Sequence, residues 1–597
     1  MKKLVILLAA VWLVNCSSPK ENTSDKIKLV ENSLVPPVYF EGDSLWSIEA
    51  RMKHYHVPGM SLAVIADNKI VWSKGYGVMD EETKEPVTTT TLFQAGSISK
   101  PVAAYTALKM VEEGKISLDS NVNNYLKSWK LPDNEFTKDK KVALKHLLSH
   151  TGGLTVHGFW GYSPDLPVPT LVQVLNGEKP ANSPPIFVDK VPDESFRYSG
   201  GGYTIMQQML IDVEGKDFPA IANEKVLSPL GMVHSTYMQP LTPELLKLAA
   251  TGYLPNGTMT KGKRHTYPEM AAAGLWTTAE DLAHFAIDIQ LAMKGEKSAV
   301  LSNDMVKRML TPYYDNFIGL GLFLEDLKGE KYFGHNGWDE GFCALMTAHQ
   351  SSGNGVVVMI NANQPEFMSE VMRAVALTYG WKNRVPQYKK LPMDTSRFAS
   401  IRGRYKNGND GLFTIYTQGD RLFQKYIRRG HNELFQVSDS TYACRDTETI
   451  FQFKQNPADG KLHALLMEPG GESKFEHPQL TNEEHIPYEY VLDGNMEQAV
   501  KAYQALRKEF PKDGSISEEN MNQWGYTAME MGNVKLAKNV FKVNVLLFPK
   551  SWNAYDSYAE ACMKDGYKEQ AVANYRKSLQ LNPANKGAKE KLAELLK

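Results

Sequence analysis

The C-terminal hundred residues repeat at an interval of 34. Gly532 and Gly566, Ala537 and Ala571, Phe541 and Tyr575, and Pro549 and Pro583 are each separated by that interval. A fixed period that keeps small, aromatic and proline positions in register commits a segment to a stack of like units, because each unit leaves an apolar face that only its neighbour covers. An interval of this length suits a helix pair, so residues 488–597 are expected to be all-α. An earlier copy, Gly494, Ala499, Tyr503 and Pro511, lies 38 residues before the second, with the extra residues near 512–516 and a poorly formed first helix. Residues 586–596 read as a terminal capping helix.

The preceding sequence has two other textures. Over residues 36–384, strand-like runs at 60–66 and 70–73 are joined by Asp67, Asn68 and Lys69, which reads as a hairpin. Further strand-like runs lie at 317–324, 342–348 and 356–360, and helical patterns such as 102–113 and 282–293 fall between. Strands at both ends with helices between imply an α+β domain, one antiparallel sheet covered by helices. Residues 396–477 carry short alternating runs divided by turn dipeptides such as Asn407-Gly408 and Asp459-Gly460, the pattern of a small antiparallel β domain, barrel or sandwich.

The first residues read as a targeting segment. Lys2 and Lys3 precede an apolar run over residues 4–14, too short to span a bilayer but suited to a signal-peptide core. The run ends at Asn15-Cys16-Ser17-Ser18, which resembles a bacterial lipobox. This implies a lipoprotein signal over residues 1–16, lipid on Cys16, a flexible tether over residues 17–35, and a chain exported to the cell envelope and held to a membrane by that anchor alone. Lys and Arg total 67 against 68 for Asp and Glu, so no basic excess points to nucleic acid. Cys343, Cys444 and Cys562 are widely spaced and suggest no disulfide framework. Without a CxxC or HExxH pattern, no metal site is expected.

The chemistry is expected around Phe93-Gln94-Ala95-Gly96-Ser97-Ile98-Ser99-Lys100-Pro101. Ser97 and Lys100 are three apart, so a helix places both on one face. Pro101 requires that helix to begin close to Ser97. A serine at a helix start with an amine beside it has a route for losing its proton. Ser99 faces elsewhere. Two further segments stand out: Tyr198, ahead of Ser199 and the glycines 200–202, and His335-Asn336-Gly337-Trp338.

In this order, the SxxK, the tyrosine segment and the HxG triplet resemble the serine penicillin-recognising enzymes of the class C beta-lactamase type. That group includes D-Ala-D-Ala carboxypeptidases, D-aminopeptidases and esterases. The segments His146-Leu147-Leu148-Ser149-His150-Thr151-Gly152-Gly153-Leu154 and Ala273 to Leu282 also resemble segments of that family. The resemblance implies Ser97 as nucleophile, Lys100 and Tyr198 sharing general-base work, and His335 as a cation for a substrate carboxylate or a proton carrier. It further implies backbone N–H groups of Ser97 and Trp338 as the oxyanion hole, substrate contacts at Gly200, Asn336 and Gly337, structural roles for His146 and His150, and no cofactor. Gly200 replaces an asparagine of the family's tyrosine motif, and His335 replaces the lysine usual in beta-lactamases. The expected activity is hydrolysis of an amide or ester through an acyl-enzyme, with D-amino-acid or peptidoglycan-like substrates first and ester or lactam substrates as alternatives. A non-catalytic envelope scaffold is the reading of another class. The C-terminal period resembles the tetratricopeptide repeat, which implies a protein partner.

Overall fold

Apolar residues on both faces of the segments that open and close the N-terminal region force them into the middle of a sheet. In this computed structural model, which describes residues 22–427, 430–467, 473–511 and 513–597, the first such segment is β1 (Gly59–Ala66), nearly all of it buried. It pairs antiparallel with β2 (Lys69–Gly77) through the expected hairpin. The C-terminal strands of this region are β3 (Phe323–Leu327), β4 (Glu330–Asp339), β5 (Phe342–His349) and β6 (Gly355–Ile360). The sheet order is β2-β1-β6-β5-β4-β3, antiparallel throughout, so the two ends of the region meet at the β1–β6 pair. Residues 317–322 do not continue β3 as expected. Ile318 makes only isolated bridges, and Leu320 N–H is used by Met309 O in a turn.

Helices cover both faces, as strands buried on two sides require. Ala279–Met293 packs on the central strands and contributes Phe285 and Ile289 to a core shared with Ala63, Ile65, Val357 and Met359. Pro365–Thr378 packs on β5 and β6. The expected signal peptide and Cys16 lie outside the described residues. The flexible tether expected over residues 17–35 is corrected within them: Thr23–Glu31 is a helix, capped by the Asn22 side chain on Ser24 N. Val30 is buried, and Glu31 pairs with Lys74 at 2.6 Å, so this segment is packed rather than free.

The chain divides into two compact units, Gly42–Val385 with the segment up to Pro37, and Pro386–Lys597 with Val38–Glu41. The second unit begins with a closed barrel of eight antiparallel strands in sequential order, from Gly403–Lys406 to Ser473–Leu480. Tyr405, Phe413, Leu422, Tyr442, Phe451 and Phe453 fill its interior. Closure pairs Arg404 with Leu480 and Tyr405 with Gln479, so the barrel runs three residues beyond the expected end at His477.

Helices follow in pairs. Glu518–Glu530 and Trp552–Lys564 are offset by 34 at both ends, as are Val534–Leu547 and Lys568–Leu581. The registered positions are the packed ones: Ala537, Phe541, Ala571 and Tyr575 are all buried. The earlier copy is a six-residue helix, Pro487–Leu492, followed by Met496–Glu509, and Lys586–Leu595 closes the array. Within this unit the barrel and the helices share a core that joins Leu412 to Tyr488, Val491 and Tyr503.

Candidate active site

The segment bearing Ser97 is shaped by what it must approach. Gly96–Ile98 forms a single 3₁₀ turn that runs into the helix Ser99–Glu112. Gly96 has φ of 51°, and a Cβ there would lie 2.4 Å from Trp338 N, so only glycine fits. A Cβ on Gly337 would lie 1.9 Å from Ala95 O and 3.3 Å from Ser97 N. These two glycines let β4 press against the turn, so that the backbone of Trp338 lies against Gly96 and that of Gly337 against Ala95 and Ser97.

Lys100 is buried and donates from Nζ to Ser97 Oγ at 2.9 Å and to Ala272 O at 2.8 Å. Ala272 lies in the short helix Met270–Ala273, which ends where the Ala273 to Leu282 segment begins. The neighbouring Ser99 is fully buried; its Oγ donates to Gly96 O at 2.6 Å and accepts from Leu275 N at 2.9 Å. Ser97 is therefore the serine open to a reactant, and Ser99 ties the turn to the Leu275 segment.

Tyr198 sits in a loop one residue before the N-cap Ser199 of the helix Gly200–Glu214. Its ring lies 4.9 Å from Lys100 Nζ and stacks on His150, with centroids 4.2 Å apart. His150 Nδ1 accepts from Ser199 N at 3.1 Å, which anchors the loop from below. Burial, followed by the charge of Lys100, drives the His150 pKa well down, so it supports the tyrosine as a neutral ring. His146 also does local work: its Nδ1 accepts from Ala143 N at 3.0 Å at the start of the helix Leu144–Leu148.

His335 closes the site on the β4 side. Its centroid is 6.2 Å from Tyr198 and 5.0 Å from Phe323, and Nδ1 meets Asn336 O at 2.6 Å. Burial, and then Lys100, lowers its pKa to about 3. Burial beside Lys100 thus disfavours the charged form expected here for holding a substrate carboxylate and leaves the role of proton carrier open. Asn336 is exposed and Gly337 buried on the same strand. Gly200, expected as a substrate contact, is buried in the first turn of its helix. Its N–H goes to His157 O at 2.9 Å and its carbonyl accepts from Thr204 Oγ1 at 3.2 Å.

Two carboxyls near the site were not foreseen. Glu269 is fully buried, with no partner for either carboxyl oxygen among the described residues, and burial raises its pKa to about 8. Asp339 is also buried, and its pKa is driven well up by desolvation against the opposing pull of Lys100. Strand alternation was the available signal for Asp339, since it shares a face with His335 and Gly337. Nothing local marks Glu269.

Among the described residues no cluster of His, Cys, Asp and Glu is arranged to hold a metal. The beta-lactamase family profile matches residues 47–379. Protein flp of Staphylococcus aureus (strain N315) is 23% identical over 367 residues, covering 60% of this chain and 68% of its own. Penicillin-binding protein 4 of Amycolatopsis lactamdurans is 26% identical over 340 residues, covering 53% of this chain and 83% of its own. Among solved structures, the octameric penicillin-binding protein homologue of Pyrococcus abyssi aligns with a TM-score of 0.48 at 24% identity, covering 72% of this chain and 98% of its own. The family profile spans more than half of the sequence and contains every residue of the site described above: the chain belongs to the beta-lactamase family of serine hydrolases.

Proposed function

We propose that the protein hydrolyses an amide or ester through an acyl-enzyme on Ser97. The observation that carries this is the 2.9 Å hydrogen bond between Lys100 Nζ and Ser97 Oγ, beside the close approach of the Trp338 backbone to the Ser97 turn. In this reading Tyr198 and Lys100 together relay the proton that Ser97 Oγ gives up as it attacks the carbonyl, and the backbone N–H groups of Ser97 and Trp338 hold the developing oxyanion. Tyr198, above Lys100, passes the proton to the leaving group, and water then releases the acyl group.

The substrate class that fits best is a D-amino-acid or peptidoglycan-like amide. The kinship with a relative named as a penicillin-binding protein supports it. A neutral His335 and a Gly200 without a side chain weaken recognition of a substrate carboxylate, whether on a lactam or on the departing residue of a D-Ala-D-Ala terminus, so within this class an amide with an uncharged leaving group is favoured. Labelling with a fluorophosphonate, compared between wild type and Ser97→Ala, tests the nucleophile. A panel of D-amino-acid amides, D-Ala-D-Ala peptides, short acyl esters and nitrocefin tests the substrate class. Labelling that survives Ser97→Ala overturns the reading.

Two further roles belong to this proposal. The 34-residue helix pairs are read as tetratricopeptide-like repeats that present a surface to a protein partner, a pull-down comparing repeat variants being the test. Lipid on Cys16 is read as the membrane anchor, checked by palmitate incorporation in wild type and Cys16→Ala.

A further inference from the structure

Large apolar side chains that stay exposed while their backbone is held rigid mark a binding surface. Trp160 and Trp338 fit that description. Their rings meet edge to face with centroids 5.9 Å apart, yet Trp160 is 63% exposed and Trp338 43%. Trp338 alternates on β4 with His335, Gly337 and Asp339, which are buried, so its ring stands with Asn336 on the open side of the strand. The nitrogen of the same residue lies against Gly96, one position from Ser97. The backbone that carries this indole is therefore the one that meets the turn of Ser97.

Trp160 lies in a loop without helix or strand, but its backbone is fixed. Its carbonyl meets His265 Nδ1 at 2.9 Å and accepts from Tyr267 Oη at 3.4 Å. Tyr162, two residues on, exchanges a pair of backbone hydrogen bonds with Thr266, each 2.8 Å. Tyr267 Oη also accepts from Glu340 N at 3.2 Å, two residues beyond Trp338. One buried tyrosine thus ties the Trp160 loop to the end of β4 and sets the spacing of the two indoles. Binding against such a pair costs little loop ordering, because the backbone beneath each ring is already held.

We propose that Trp160 and Trp338 form a specificity subsite that receives a large apolar or aromatic group of the substrate, carried next to the carbonyl that Ser97 attacks. This rests on the reading of Ser97 as the nucleophile. A group of that kind lies against the two exposed rings and sheds water from them, whereas a methyl group leaves them wet. Hydrophobic pockets discriminate by roughly ten- to two-hundredfold for a single methylene, so a phenyl group should be preferred by about tenfold or more.

The test uses the full-length protein and two fluorophosphonates that differ only in an ethyl or a phenethyl group on phosphorus, with the rate of covalent labelling as readout. Wild type is expected to react about tenfold or more faster with the phenethyl reagent. Trp160→Ala should bring the ratio of the two rates close to one, and Trp160→Phe should keep most of it. Melting temperatures check that the variants fold, which the exposure of the Trp160 ring favours. Equal rates for the two reagents in wild type, or an unchanged ratio in Trp160→Ala, overturn the subsite while leaving Ser97 as nucleophile. Failure of both reagents to label wild type above the level of Ser97→Ala overturns the nucleophile, and the subsite falls with it.

Discussion

Lys100 Nζ bridges Ser97 Oγ at 2.9 Å and Ala272 O at 2.8 Å, so a single buried amine links the turn of the candidate nucleophile to the short helix Met270–Ala273. The bridge fixes the lysine's direction before any substrate arrives. Lys100→Met removes the amine and keeps the apolar bulk. It should lower turnover by about 10²–10⁴-fold, the usual worth of a positioned acid or base. Steady-state rates on the best substrate of the panel check it, and a Lys100→Met protein with near wild-type turnover would show that another group takes the proton.

Ser99 should separate folding from chemistry. Ser99→Ala strands Leu275 N–H, which is buried against Ser99 Oγ, and removes the bond to Gly96 O. An orphaned buried donor costs about 1–3 kcal/mol. The expected outcome is a lower denaturant midpoint with covalent labelling of Ser97 retained. Loss of labelling in a folded Ser99→Ala protein would move the nucleophile assignment.

Nitrocefin should be a poor substrate. Gly200 has no side chain for a substrate amide, and its N–H and C=O are already taken by His157 O and Thr204 Oγ1. His335, near pKa 3, brings no charge to a lactam's carboxylate. Each missing contact is worth about 1–3 kcal/mol, a loss of roughly ten- to a hundredfold. Nitrocefin turnover with a kcat/KM above about 10⁶ M⁻¹s⁻¹, well inside the range of efficient enzymes, would contradict this account.

The parts of the site legible in the sequence are those that local geometry dictates. Ser97 and Lys100 share a helix face at any helix start. What was not legible depends on which segments pack together. The charge state of His335 follows from burial beside Lys100, which lies over two hundred positions away in the chain. Trp160 sits in a loop with no periodicity, and its partner Trp338 is defined only once β4 meets that loop. The helix Thr23–Glu31 was missed for the same reason: its polar composition reads as a tether, and its one buried side chain, Val30, becomes visible only when the rest of the unit folds.

Glu269 gives a pH signature. In the folded protein its carboxyl ionises at about 8, against about 4.3 in an unfolded chain. Between those values the folded state holds a proton that the unfolded state has lost, so stability falls as pH rises through that window and levels off above it. Glu269→Gln removes this contribution. Its melting temperature should fall less than that of wild type between pH 5 and pH 8, leaving the variant the more stable protein at pH 8. Asp339, also driven up by burial, should leave a residual slope. Parallel melting curves for the two proteins across that range would show that Glu269 is ionised in the fold.

The last expectation concerns the second unit, where the sequence suggested two separable domains. Asp410, buried in the turn between the first two barrel strands, accepts from Tyr503 Oη at 2.7 Å and from Tyr488 N at 3.0 Å. Leu412 of the barrel lies in one apolar cluster with Tyr488, Val491 and Tyr503 of the helices. A chain cut near His477 would also lose the Tyr405–Gln479 and Arg404–Leu480 pairs that close the barrel. The barrel and the first helices should therefore unfold together. Asp410→Ala leaves a buried tyrosine hydroxyl and a buried backbone N–H without this acceptor, at a cost of about 1–3 kcal/mol for each group. Hydrogen exchange should then speed up in both the barrel strands and the helices Pro487–Leu492 and Met496–Glu509. Faster exchange confined to the helices, with barrel amides as protected as in wild type, would mean that the barrel stands alone and that Asp410 only docks the helices onto it.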